Sequence, residues 1–160
     1  MLGGRPRRTY AAPTLAAVDD IDRAIVGVLS RHGRATYAEV GAAVGLSAPA
    51  VKRRVDRLLD DGVVVGFAAV VDPGAMGWGI EALVHVYCQG RIAPSALRDA
   101  WEPIPEIVSA STVAGTADAV VRVRARDVQH LEDTLERIRG SAAIERTEST
   151  IVLSRLIERA

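Results

Sequence analysis

The chain has a single cysteine, Cys88, in 160 residues. A disulfide framework within the chain is therefore excluded, and so is a cysteine-rich zinc site. Aromatic residues make up only 4% of the sequence, so its cores must be built from Val, Ile, Leu and Ala. Small cores of that kind gain from association between subunits. No apolar run approaches the ~20 residues that a membrane-spanning helix requires. Met1 to Thr14 carries arginines but no apolar stretch, so it does not read as a secretory signal, and the cytoplasm is the expected compartment. Net charge is also missing. Twenty Lys and Arg balance twenty Asp and Glu, and the two halves differ little: residues 1–79 sum to +2 and residues 80–160 to −2. Charge excess alone thus gives no case for nucleic acid, and the placement of the charges has to make it. GxGxxG and GxxxxGKS/T phosphate loops are absent. His32, His85 and His130 stand singly, without the partners that a metal or a nucleophile–base pair needs. No catalytic centre, metal or cofactor is expected, and an enzyme is the least favoured class.

What is present is the composition of a folded protein, 49% hydrophobic and 25% charged. Residues 1–17 read as a tail, broken by Gly3, Gly4, Pro6 and Pro13 and charged by Arg5, Arg7 and Arg8. Regular structure is expected from Val18. Ile21, Ile25, Val28 and Leu29 recur at helical spacing, and Asp19, Asp20 and Asp22 suit the positive end of a helix dipole. Gly33 closes this helix. Thr36 and Glu39 then form the S/T-x-x-E capping box of a second one, with Val40, Ala43 and Val44 as its apolar side. Gly45-Leu46-Ser47 is a tight break, with Ser47 as N-cap and Pro49 in a tolerant first turn. A third helix runs from Ala48 to Leu59, apolar at Val51, Val55, Leu58 and Leu59 and basic at Lys52, Arg53, Arg54 and Arg57.

Three short helices with a glycine turn before the third make a helix-turn-helix, residues 18–62. The third helix of such a unit fits the major groove of double-stranded DNA, whose edges distinguish every base pair. Ala48, Pro49, Lys52 and Arg53, at its N-terminal end, are placed to reach bases. Ser47 and the helix N-terminus suit a phosphate, and Arg54 and Arg57 suit the backbone. Residues 63–79 read as a β-branched extended segment, which would make the unit a winged variant, followed by a turn at Asp72-Pro73-Gly74 and a linker.

The remainder, residues 80–160, alternates strand and helix. Strands are expected at Ile80–Cys88, Ile107–Val113, Ala117–Ala125 and Ile144–Leu153. Helices are expected at Ser95–Trp101 and Asp127–Arg139, the latter with Val128, Leu131, Leu135 and Ile138 inward. This β-α-β-β-α-β order is the ferredoxin-like pattern, so the whole chain is expected to be α+β. Val and Ala occupy both alternations of the strands. One sheet face would then meet the helices, and the other is suited to a partner sheet.

Residues 18–153 resemble the Lrp/AsnC family of leucine-responsive, feast/famine regulators. The similarity rests on the opening helix from Val18 to Val26, on Gly33-Arg34-Ala35-Thr36, on Val44-Gly45-Leu46-Ser47, on Val51 through Arg57 with Gly62, and on Phe67 and the Asp72-Pro73 turn. It departs at Val18 and Val26, where the family usually has Leu. The resemblance implies a sequence-specific, DNA-binding transcription regulator whose DNA affinity or assembly responds to a small molecule, an amino acid or related metabolite. It implies homodimers that often assemble into octamers. Val113-Ala114-Gly115-Thr116-Ala117-Asp118 matches the family's Gly-x-x-Asp signature, although relatives commonly place an aromatic where Ala117 stands. By that resemblance the ligand-side residues are Val113, Ala114, Gly115 and Asp118, together with Thr147 and Ser149 on the last strand. The competing class is a ligand-binding ferredoxin-like module whose N-terminal helices meet a protein instead of DNA. Salt-dependent binding to duplex DNA separates the two.

Overall fold

A computed structural model describes residues 18–140 and 144–157. The tail at residues 1–17 lies outside the described residues. The chain divides after Val70 into two compact units.

The first unit is three helices: α1 (Asp20–Arg31), α2 (Tyr37–Val44) and α3 (Ala48–Asp60). Each start has a local cause. Asp19 caps α1, its Oδ1 accepting the Asp22 N–H at 2.7 Å, while the Asp22 carboxylate returns the bond to Asp19 N–H at 3.2 Å. Thr36 and Glu39 do the same for α2. Gly45, in the left-handed conformation at φ 72°, ends α2, and the chain turns directly into α3. Ile25, Leu29, Val40, Val51 and Val55 form the core, with Val28, Ala35, Val44 and Leu46 packed against it. Ile21 and Leu59, expected on the inner stripes, are more than a third exposed. Both stand near the outer end of their helix, where the three-helix core runs out.

Residues 63–71 form no strand, so the expected wing is corrected. The β-branched run satisfies the backbone preference for extended structure, but no second strand pairs with it among the described residues. Gly66, at φ 138°, also interrupts it.

The second unit follows the expected order: β1 (Ile80–Cys88), α4 (Pro94–Trp101), β2 (Ile107–Thr112), β3 (Ala119–Ala125), α5 (Val128–Arg139) and β4 (Ile144–Ile151). The four strands make one sheet in the order β2-β3-β1-β4, all antiparallel, with β1 pairing β3 on one side and β4 on the other. One face is a continuous apolar surface of Ala82, Val84, Val86, Ala119, Val121, Val123 and Ala125. It packs on Leu97 and Trp101 of α4, on Ile104 just after it, and on Leu131 and Ile138 of α5. Val128 stays 65% exposed, because α5 begins at that residue and its inward stripe is Leu131, Thr134, Leu135 and Ile138. The other sheet face is mixed. Leu83, His85 and Tyr87 of β1 lie opposite Val120 and Arg122 of β3 or Arg146, Glu148 and Thr150 of β4. The expectation of apolar residues on both alternations thus holds for one face only.

Candidate nucleic-acid interface and ligand loop

Gly41 sets where α3 begins. Its carbonyl accepts N–H bonds from Gly45 and, at 2.9 Å, from Leu46, so the turn folds back onto α2. A Cβ at this position would lie 2.3 Å from the Leu46 carbonyl oxygen, which only glycine avoids. The turn therefore packs directly on α2, and α3 emerges with Ser47 at its N-cap.

Ser47 caps by backbone alone. Its carbonyl accepts from Ala50 and Val51 N–H, both at 3.0 Å, and its hydroxyl makes no capping bond. Ser47, Pro49, Lys52 and Arg53 are exposed and Ala48 is half-buried. They form one continuous surface at the N-terminal end of α3. Lys52 bonds Asp56 on the next turn, Nζ to Oδ2 at 2.6 Å, and that hydrogen bond raises the ammonium's pKa above its ordinary value. Arg53 has no ion pair among the described residues.

The other two arginines of the helix reach toward α1. Arg54 Nη1 lies 2.6 Å from Asp19 Oδ2 and 2.8 Å from Asp22 Oδ1. Arg57 Nη2 bonds Asp22 Oδ2. Asp22 is fully buried. The Arg54 hydrogen bond, followed by the Asp22 N–H, holds the Asp19 carboxyl below the usual carboxylate range. The sequence marks these aspartates for the helix dipole. It does not show that they meet arginines more than thirty positions along the chain, because nothing local encodes that pairing.

In the second unit, Val113 to Asp118 form the β2–β3 loop. Val113, Ala114, Gly115 and Asp118 are exposed, while Ala117 is buried beneath them. Asp118 fastens the loop to β1: its N–H donates to Val86 O at 2.9 Å, and its Oδ2 accepts the Cys88 N–H at 2.8 Å. Burial, with the Asp118 charge next in size, pushes the Cys88 thiol up, so this cysteine stays protonated at neutral pH. Gly115 faces open space, and a Cβ there would meet nothing within 4 Å. Thr147 stands opposite Val86 and Ser149 opposite Val84, on β4. Asp118 and Thr147 therefore flank one stretch of β1 from its two sides, about two strand spacings or ~10 Å apart. The Thr147 hydroxyl accepts from Arg139 Nε at 2.9 Å, and Ser149 is exposed.

A three-helix unit with an exposed N-terminal end on its third helix is joined in sequence to a βαββαβ sheet domain, as a helix-turn-helix protein with a ferredoxin-like second domain requires. The comparisons are specific. The profile of the AsnC-type helix-turn-helix domain matches residues 18–59, and that of the Lrp/AsnC ligand binding domain matches residues 81–160. The chain is 60% identical over 142 residues to the HTH-type transcriptional regulator Rv2324 of Mycobacterium tuberculosis, covering 89% of this chain and 96% of that one. Among solved structures, the feast or famine regulatory protein Rv3291c of M. tuberculosis, complexed with L-methionine, superposes with a TM-score of 0.83 at 40% identity. That match covers 89% of this chain and 96% of the other. The regulator NMB0573 of Neisseria meningitidis, also an L-Met complex, gives 0.78 at 25% identity, over 88% and 93% of the two chains. The chain belongs to the Lrp/AsnC family and is a DNA-binding transcriptional regulator.

Proposed function

We propose that this regulator reads duplex DNA with the N-terminal end of α3 and that an amino acid, bound beside the β2–β3 loop, changes its DNA affinity or assembly. Ser47, Ala48, Pro49, Lys52 and Arg53 face the major groove, and Arg57 holds a backbone phosphate. The observation that carries this reading is the arrangement of that helix end: five neighbouring residues, four of them exposed, with a serine hydroxyl and an arginine side chain unbonded among the described residues.

The ligand side comprises Val113, Ala114, Gly115, Asp118, Thr147 and Ser149. Gly115 is required neither by a left-handed backbone nor by close intrachain packing, which supports its role as a point of close approach. Asp118, already anchored through one oxygen, has a second oxygen for an ammonium. Two relatives hold L-methionine, so methionine and other amino acids are the first effectors to try. The mixed sheet face, with Leu83, Val120 and Arg122, supports pairing with a second copy, and dimers of this kind can assemble further into an octamer. No described helix is long and apolar enough to cross a membrane, and the work of a DNA-binding regulator supports the cytoplasm as its compartment.

Two measurements test the reading. Thermal melts against the twenty amino acids should show one or a few that raise Tm by mass action. Duplex binding should weaken steeply between low and moderate salt. No duplex binding at low salt would overturn the regulator assignment, and no thermal shift with any amino acid would overturn the effector class.

A further inference from the structure

We propose that Asp22 of α1 is a positioning residue for DNA contact, holding Arg57 pre-oriented for a phosphate while Arg54 serves as the anchor between α1 and α3. The inference rests on the reading of α3 as the DNA-facing helix.

The geometry separates the two arginines. Arg54 lies 27% exposed and gives one guanidinium nitrogen, Nη1, to both Asp19 and Asp22. Arg57 is 50% exposed and touches the same buried carboxylate through Nη2 alone. A guanidinium has five N–H donors in a rigid fork. Arg57 therefore bonds Asp22 along one edge and keeps the rest of its fork toward solvent. An arginine fixed in this way loses little side-chain freedom when it meets a phosphate, so it binds more tightly than a free one. Asp22 is itself held rigid. It sits in the first turn of α1, is fully buried, and its Oδ2 also accepts the Asp19 N–H at 3.2 Å. The row Lys52-Arg53-Arg54-Arg57 is thereby divided by a single carboxylate on another helix.

The sign of one variant discriminates. If Asp22 mattered only as a negative charge near DNA, Asp22→Asn would tighten binding and steepen its salt dependence. If Asp22 positions Arg57, the same change weakens binding and makes the dependence shallower. The probe is a duplex selected by the wild-type protein from a random pool, titrated across a range of salt. Arg57→Gln is expected to lower the salt slope by about one. Asp22→Asn should lower it comparably, and the double variant should add nothing. Arg54→Gln should keep the slope and lower Tm on the order of 10 °C. Should Asp22→Asn fail to fold, Arg57→Lys carries the test, since an ammonium lacks the planar fork that spans carboxylate and phosphate together. This variant keeps the charge and so the slope, but its affinity should fall several-fold toward that of Arg57→Gln. Tighter binding by Asp22→Asn, wild-type affinity in Arg57→Lys, or an equal loss of slope in Arg54→Gln would each overturn the proposal. A wild-type protein that binds no duplex would instead overturn the functional reading. The cluster would then be a structural device only, recognisable by coupling between Asp22 and Arg54 in stability alone.

Discussion

Glu106→Gln is the most informative single change in the second unit, because it removes a charge and almost no volume. Glu106 is buried just ahead of β2. Its Oε1 lies 3.1 Å from His130 Nε2 and its Oε2 2.8 Å from Arg137 Nη1, so one carboxylate ties the start of β2 to α5. His130 Nδ1 accepts the Arg126 N–H at 3.3 Å, which makes Nε2–H the donor to Glu106. Trp78 stacks on the same ring, with centroids 6.1 Å apart. Removing one partner of a fully buried ion pair costs roughly 3–5 kcal/mol. Here Arg137 is 45% exposed and rehydrates when the carboxylate is lost, so the expected cost is nearer ~2 kcal/mol. For a unit of this size that is a fall in Tm of about 10 °C.

The pH dependence supplies the control. Burial pushes the Glu106 carboxyl up, but its own backbone N–H, His130 and Arg137 together outweigh burial and hold it below the usual carboxylate range. The folded pKa is thus below the unfolded one. The contribution is fully present above the unfolded value of about 4.3 and is lost as pH falls through the lower folded value. Urea melts of wild type and variant should show the full gap at about pH 7 and a closing gap below about pH 4. Equal stability at neutral pH would refute the ionic account. A gap that persists undiminished in strong acid would show that packing, not charge, sets the difference.

Three further changes test the scaffold. Gly41→Ala places a methyl against the Leu46 carbonyl; overpacking against backbone should cost about 1–3 kcal/mol, seen as a lower Tm together with weaker duplex binding as the start of α3 shifts. Ile138→Ala empties a fully buried position of α5 and should cost about 2–5 kcal/mol, read as a lower urea midpoint at unchanged m-value. Asp127→Ala removes the side-chain oxygen that accepts the His130 N–H at 2.8 Å at the start of α5 and should cost about 1 kcal/mol by urea melt.

Much of the fold was legible because its signals are local. Thr36 and Glu39 name a helix start by spacing alone, Gly45 names a stop, and alternation along Ile80–Cys88 names a strand. Where a signal needs a partner, reading failed. The Val63–Val71 run has the composition of a strand, but a strand exists only when another pairs with it. Val128 fits the apolar spacing of α5, but position within the helix, not spacing, left it in solvent. The site divides the same way. Ser47, Lys52 and Arg53 stand on the surface as spacing predicts. Arg54 and Arg57 look equally basic in the sequence, yet Asp22 draws both toward α1 through contacts across more than thirty residues. Gly41 was invisible too, because a helical glycine reveals close packing only once its neighbour is placed.

These contacts also bear on how the protein meets DNA. Of the four basic residues on α3, Lys52 is paired with Asp56, while Arg54 and Arg57 share Asp19 and Asp22. Only Arg53 is unpaired among the described residues. The salt-dependent part of affinity scales with the number of phosphates that cations neutralise. With Arg53 unpaired and Arg57 half-exposed beside Asp22, one helix-turn-helix unit offers few cations for phosphates, so a lone subunit is expected to bind duplex weakly. Near-zero net charge removes the long-range attraction that would otherwise make up the difference. The proposed assembly would supply affinity by setting several such units on one stretch of DNA, each raising the effective concentration of the next. Under the proposed pairing through the sheet, charge balance within α3 and assembly are linked: the fewer cations α3 leaves free for phosphates, the more DNA binding depends on assembly. Under the proposed function, an effector beside the β2–β3 loop that altered assembly would act directly on DNA occupancy.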